Sequence, residues 1–433
     1  MRVDIVVRGF PMAYAMGYFL SPLRGWDIFK VPETLSRGVR IILCNGRSGY
    51  YESMIARWII RVFVALLPVV TSVAQERPLP HATPRRPATQ PAVPRFIIGV
   101  FQQPVGSFDS WKVRGVNTLA GYEGESGSRR ISNHDWTEAA AAKGFFYIKQ
   151  PGEDLELEAK DPNLLGWMHS DEPDVRKPPA DPKGLVEQYR EWKKAGPSVP
   201  VFVNFSGGNV LGGKVSREVY QEYMKGADWV GNDFYAVTGY NRPDWLWKVG
   251  AAVDSLREWS GGKPQFAVIE CSAQRLSWTP KNTRGVTADE FRAEVWHAVI
   301  HGVKGVIYFP QQIGEGFRYD AVTQKVALEM VVVNKRLTEL GAVLSSEMNP
   351  HVASAKPQAA APMEIGWRIS GGRLYLIALN FSDDFVKGQH IKLGVEMGSV
   401  KSLWETRMPE VKSGEITDDF GPYEVRVYDV SMK

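Results

Sequence analysis

Two acidic stretches of the 433-residue chain carry side chains suited to chemistry. The first is G-W-M-H-S-D-E-P-D-V at 166–175, where an apolar run ends in Asp171, Glu172 and Asp174, broken by Pro173. Proline disfavours the α region for the residue before it, so Glu172 is predicted to be extended, its carboxyl held at the mouth of a strand. The second is F-A-V-I-E-C-S at 266–272, where Glu270 follows four apolar residues and is predicted to be buried at its base and open at its tip. Two carboxyl groups facing one another across a cleft can divide acid and base work. One, kept protonated by burial and by repulsion from its neighbour, gives a proton to a leaving oxygen. The other attacks the carbon being released or activates a water, which is what hydrolysis of a glycosidic bond requires. Taken singly, each acid also reads as structural: Asp171, Glu172 and Asp174 as solvated loop acids with one capping a helix, and Glu270 as the partner of a lysine or arginine.

The elements that must position these acids follow from the hydrophobic pattern. From Phe96 onward, short apolar runs alternate with helical periodicity, the pattern of βαβ units and a parallel sheet. The runs are Phe96–Val100, Asn117–Ala120, Phe145–Lys149, Leu164–Met168, Val201–Asn204, Trp229–Asp233, Phe266–Glu270 and Gly305–Phe309, eight in all. Between them Leu185, Tyr189 and Trp192, then Phe291, Val295 and Val299, fall on single helix faces, and Val326 to Leu344 forms one long stripe. Gly144, Gly196 and Gly341 stand where helices are expected to stop. About 250 residues with eight such units is the usual extent of a TIM (β/α)8 barrel, which puts Glu172 past the end of strand four and Glu270 at the end of strand seven. A doubly wound open sheet is the rival, but no G-x-G-x-x-G follows the first run.

Here the chain resembles the clan-A glycoside hydrolases. The resemblance rests on G-W-M-H-S-D-E-P at 166–173, on the interval from Glu172 to Glu270, and on the β-rich tail. It implies a retaining (β/α)8 enzyme with Glu172 as acid/base and Glu270 as nucleophile. Two departures stand out. Asp171 occupies a position that is usually asparagine, so it can accept from a sugar hydroxyl but cannot donate. Tyr308 or Phe309 stands where strand eight often ends in a tryptophan floor. Other substrate-binding candidates come from strand ends and loops: Asn204, Asp233, Tyr235 (with Asp233 and Tyr235 placed to orient Glu270) and Trp278. Tyr122 and Glu123 read mainly as plain loop residues, and Cys271 as a packed thiol.

The totals fit this reading. A formal charge of +4 implies no nucleic-acid partner, and 14 Trp with 16 Tyr supply either a large core or a sugar-lined cleft. Cys44 and Cys271 make no disulfide framework, and no spaced Cys/His set suggests a zinc site. No metal or organic cofactor is expected. Residues 54–74 have a basic start, an apolar centre and a small-x-small end, which reads as a signal peptide. Residues 1–53 then read as an over-called extension, 75–95 as a proline-rich linker, 96–348 as the barrel, 349–362 as a second linker and 363–433 as a small antiparallel β-sandwich. The expectation is a secreted or periplasmic protein, off the membrane after cleavage, that acts on an oligo- or polysaccharide. Two alternatives remain: a non-catalytic carbohydrate-binding barrel, and a metal-dependent hydrolase using Asp171, Glu172 and Asp174, for which His169 is the one good histidine.

Overall fold

The computed structural model describes 3–6, 39–42 and 92–433, apart from 127–128, 277, 280–282, 315, 347–354 and 358–361. The expected signal peptide, most of the extension before it and most of both linkers lie outside the described residues. Among the described residues no helix is long and apolar enough to cross a membrane.

Eight parallel strands close a barrel: β1 Ile97–Phe101, β2 Thr118–Ala120, β3 Phe146–Lys149, β4 Leu164–Met168, β5 Val201–Ser206, β6 Trp229–Asp233, β7 Gln265–Glu270 and β8 Gly305–Phe309. They are the eight runs read from the sequence, each within two residues at either end. A helix follows each strand: α1 Phe108–Val113, α2 Asn133–Ala142, α3 Leu155–Glu158, α4 Pro182–Ala195, α5 Arg217–Met224, α6 Lys248–Trp259, α7 Ala288–Ile300 and α8 Gln324–Glu339. The helix starts are written locally. Asp181 accepts from Lys183 N–H ahead of Pro182, and Thr287 with Glu290 forms a reciprocal capping box at α7. Gly341 departs from expectation, because it opens a further helical turn, Gly341–Leu344, instead of ending the line of α8.

The barrel is filled, not hollow. Ile97, Phe146, Met168, Phe202, Phe266 and Ile307 belong to its inner cluster, while Ile98, Tyr147, Ala267, Ile269 and Val306 pack outward against the helices. Strands this apolar on both faces are what a parallel sheet covered by helices requires. Gly305 allows one close approach. A Cβ there would sit 2.6 Å from the Ile97 carbonyl oxygen on the neighbouring strand.

In the tail, the apolar alternation of Arg373–Phe381, Gln389–Val395, Val400–Arg407 and Tyr423–Val430 predicts four strands, and the structure holds more than these. One sheet runs in the order β9 (Ala355–Pro357), β12 (Val386–Leu393), β15 (Glu415–Phe420), β14 (Glu410–Lys412). The other runs β10 (Met363–Ser370), β11 (Arg373–Asn380), β16 (Val425–Met432), β13 (Met397–Ser402). All pairings are antiparallel, and Leu374, Leu376, Ile391, Ile416, Phe420 and Val430 form their shared core. Strands β10 and β11 lie against α7, so barrel and sandwich share a packed seam.

Candidate active site

The C-terminal ends of the strands build the mouth, with Phe101, Asp171, Asn204, Asp233, Tyr235 and Phe309 among its lining residues. Phe309 is the aromatic floor. Its ring lies 5.7 Å from Phe101 and 5.4 Å from Tyr235, centroid to centroid. Tyr308 is not. It points outward, 0% exposed, with its hydroxyl bonded to Asn334 on α8. Alternation along β8 puts Ile307 and Phe309 inside and Tyr308 outside.

Glu172 is held differently from the expectation. Its φ is +44°, in the left-handed region and not extended. Proline at 173 closes the ordinary helical region to it, and the chain resolves this by the other route, at a cost of roughly 1–2 kcal/mol. The neighbouring Asp174 anchors the bend. Its carboxylate accepts from Ser206 N–H (3.2 Å) and Tyr220 O–H (2.8 Å), and its carbonyl accepts from the Asn209 amide (3.2 Å). Asp174 is therefore a buried bracket and not a free ligand, although burial still pushes its carboxyl up to about 6.

Glu172 lies in the mouth beside Asp233. Each of the two carboxyls shifts the other's titration, and Ser206 and Tyr235 stand beside the pair. Withdrawal from water, and then the charges of Asp171 and Asp174, raise Glu172 to about 8. Burial, and then Glu172 and Asp171, raise Asp233 well above the usual carboxylate range. The two titrate as a pair that retains a proton at neutral pH. Asp171, the most accessible of the three, accepts from the Asn204 amide at 3.0 Å. The open space between these groups is about 10 Å³, room for a single water.

Glu270 is the main correction. It is 0% exposed. Its carboxylate accepts from Val237 N–H and Thr238 N–H, both at 2.7 Å, and from the Thr238 hydroxyl. Its other neighbour is the carboxyl of Glu294 on α7, fully buried and held protonated by burial and by the Glu270 charge. The expected open tip is thus turned toward the loop after β6 and toward α7. The orienting role assigned to Tyr235 falls on Asp233 instead. Trp278 is 59% exposed. Sequence reasoning passed over Ser206, Thr238 and Glu294. Ser206 ends β5 at a mouth-facing position, a detectable signal, whereas nothing local marks Glu294 as the partner of Glu270.

His169 is likewise placed away from the acids. Its two ring nitrogens lie 2.8 Å from Gln188 Oε1 and 2.8 Å from the Gly226 carbonyl, and its ring stacks on Trp192. The metal-hydrolase alternative thereby loses its histidine.

The raised Glu172 carboxyl has a thermodynamic signature. Its native state binds the proton more tightly than the unfolded chain, so stability is fully present below the unfolded value near 4.5 and is lost as pH rises to about 8. Glutamine carries no such dependence. Glu172→Gln is expected to gain in Tm over the wild type as pH rises from about 4.5 to about 8.5, on the order of 2–4 °C for each kcal/mol relieved. Thermal unfolding of both proteins across that range is the check, and a difference that stays flat would count against the raised carboxyl.

The eight-stranded parallel barrel and the trailing antiparallel sandwich define a (β/α)8 barrel protein with a C-terminal β-domain. Comparison gives the particular likeness: residues 183–345 match the model of glycoside hydrolase family 42, described as β-galactosidase. That span is less than half of the chain. It starts after Glu172 and includes Asp233 and Glu270. No curated protein matches the sequence. Among solved structures, an α-amylase from Geobacillus thermoleovorans complexed with acarbose has 9% identity and a TM-score of 0.53, over 78% of this chain and 99% of that one. Gan42B, a GH42 β-galactosidase, has 10% identity and a TM-score of 0.52, over 78% and 98%. An Anoxybacillus α-amylase has 10% identity and a TM-score of 0.50, over 76% and 90%. At these identities the likeness is one of fold. The family match, together with that fold, supports a glycosidase.

Proposed function

We propose that this protein hydrolyses a glycosidic bond of an oligo- or polysaccharide with Glu172 as acid/base and Asp233 as nucleophile. The observation that carries the reading is the neighbouring Glu172 and Asp233 carboxyls at the ends of β4 and β6, with Asp171, Asp233 and Tyr235 lining the mouth, each carboxyl pushed upward by burial and by the other acids. A sugar has to part the two carboxyls to roughly 5–5.5 Å for direct attack. The shared proton then leaves on Glu172, beside the charges of Asp171 and Asp174, and the Tyr235 hydroxyl supports the charge left on Asp233. Asp233 bonds to the anomeric carbon as the glycosidic C–O bond breaks, and Glu172 protonates the departing oxygen. Water then releases the sugar while Glu172 takes back its proton. The sequence-based version of this retaining mechanism used Glu270. Three donors and the Glu294 carboxyl hold Glu270 in place, so Asp233 is the better candidate.

The test is a screen of glycosides and polysaccharides, beginning with β-galactosides because the matched family is described by them. A fluorinated, activated analogue of whichever substrate turns over would trap the covalent intermediate, and peptide mass spectrometry would place the label. A label on Asp233 with retention of anomeric configuration supports the reading. A label on Glu270 restores the two-glutamate arrangement. The narrow mouth favours one second reading, a non-catalytic carbohydrate-binding barrel, and glycan binding without any turnover would select it. Secretion through residues 54–74 is part of the proposal, and N-terminal sequencing of the protein from its host tests it.

A further inference from the structure

We infer that the seam between α6, α7 and the first full sandwich strand is a binding site for a divalent transition-metal ion of the zinc class, held by His297, His301 and Glu364. One ring nitrogen from each histidine and a carboxylate oxygen of Glu364 lie within 4.8 Å of one another. His297 and His301 are four residues apart on α7 and its C-terminal cap, which places both rings on one helix face. Glu364 comes from β10, so the third donor reaches across from the other domain.

The surroundings fit a ligand set. His301 Nδ1 lies 2.7 Å from Asp254 on α6, the carboxylate–histidine arrangement that orients a metal-ligating imidazole and frees its other nitrogen. That other nitrogen, Nε2, is buried and has no hydrogen-bond partner. His297 is 1% exposed, stacked on Phe381 at 4.5 Å, and its Nδ1 receives a long contact of 3.2 Å from Gly250 N–H. Coordination through this ring displaces either that contact or the proton on the opposite nitrogen, so metal uptake releases a proton or breaks a weak bond. Gly250 is itself informative. A Cβ there would meet both rings, at 2.4 Å from His301 and 2.5 Å from His297, so only glycine lets α6 lie this close. Arg257 is one cation beside the cluster, and it is tied to Asp254 at 2.8 Å and to the His301 carbonyl. A second guanidinium, Arg368 on β10, bonds the Val299 carbonyl on α7.

Two imidazoles, one carboxylate and a water complete a tetrahedral shell for zinc. Donors around such an ion stand about 3.4 Å apart, so closing the cluster needs a shift on the order of an ångström. His301 precedes β8 and therefore lies at the opposite end of the barrel from the acidic mouth. The ion is a staple between barrel and sandwich, outside the chemistry.

The experiment uses the full chain, stripped with a chelator and then titrated with cobalt(II) and, in competition, zinc(II). Cobalt is expected to give the visible d–d bands of a tetrahedral nitrogen/oxygen site, and zinc to abolish them while raising Tm. Asp254→Asn keeps all three ligands and is expected to weaken zinc by about 10- to 100-fold. His301→Gln and Glu364→Gln are expected to lose the bands, with circular dichroism confirming that each is folded, and Glu172→Gln is expected to keep them. Absence of cobalt bands together with absence of any zinc-dependent rise in Tm overturns the inference. So do bands of undiminished intensity in folded His301→Gln and Glu364→Gln.

Discussion

Glu172→Gln is expected to lower kcat by about 10²- to 10⁴-fold, the usual worth of a positioned acid/base. The loss should be greatest for substrates with a poor leaving group, which depend on the proton, and smaller for activated aryl glycosides. The pH profile carries a second signature. A general acid held up to about 8 loses its proton as pH rises through that value, so kcat/KM of the wild type should fall on the alkaline side there. In the glutamine variant this limb should vanish. Asp233→Asn should be at least as damaging, and the double variant little worse than either single one, because the two carboxyls act as one unit. Steady-state kinetics on the substrate found in the screen decide the matter. Turnover by both single variants within about threefold of wild type would remove the pair from the chemistry.

The second large effect is on stability and falls on Glu270. Its two oxygens accept from two backbone N–H groups and a hydroxyl. Glutamine would turn an NH2 toward donors, leaving buried groups unsatisfied, at roughly 1–3 kcal/mol for each. Glu270→Gln is therefore expected to lower Tm by many degrees while the folded fraction keeps kcat within about tenfold. Glu294→Gln should behave in the opposite way. Burial and the Glu270 charge hold the Glu294 carboxyl well above the usual range, and glutamine is a neutral side chain of nearly the same shape, so the change should cost under about 1 kcal/mol. Measuring Tm and kcat for both variants separates a structural from a chemical role. An unchanged Tm with lost turnover in Glu270→Gln would move Glu270 into the reaction.

Much of this architecture was legible in the chain itself. The eight runs were readable because a parallel strand covered on both faces is a short block of apolar residues bounded by helical periodicity. The same feature hid the direction of side chains. In G-V-I-Y-F nothing polar marks which face is inner, so Tyr308 and Phe309 could not be told apart, and the final residue of F-A-V-I-E was assigned to the mouth. Glu172 was found from its neighbours but not its conformation, because a proline excludes one backbone region without choosing between the two that remain. The sandwich strands Met363–Ser370 and Glu415–Phe420 escaped notice for a different reason. Gly366, Arg368 and the acids of E-I-T-D-D-F dilute their alternation, and pairing with neighbours far along the chain supplies what the local sequence lacks. The Glu270–Glu294 contact joins residues on two elements and has no local signature at all.

Helix α7 carries a consequence for how this protein can be taken apart. Every residue from Phe291 to Ile300 except Arg292 is buried, as is Glu290, so the helix has almost no solvent face. Barrel strands cover one side and β10 and β11 the other. A surface helix of an autonomous barrel would show a polar stripe there. The tail is thus no detachable module that recombination could append to one enzyme and remove from another. Barrel and sandwich are a single heritable unit, and a gene trimmed at the linker would encode a barrel with an oily helix laid bare.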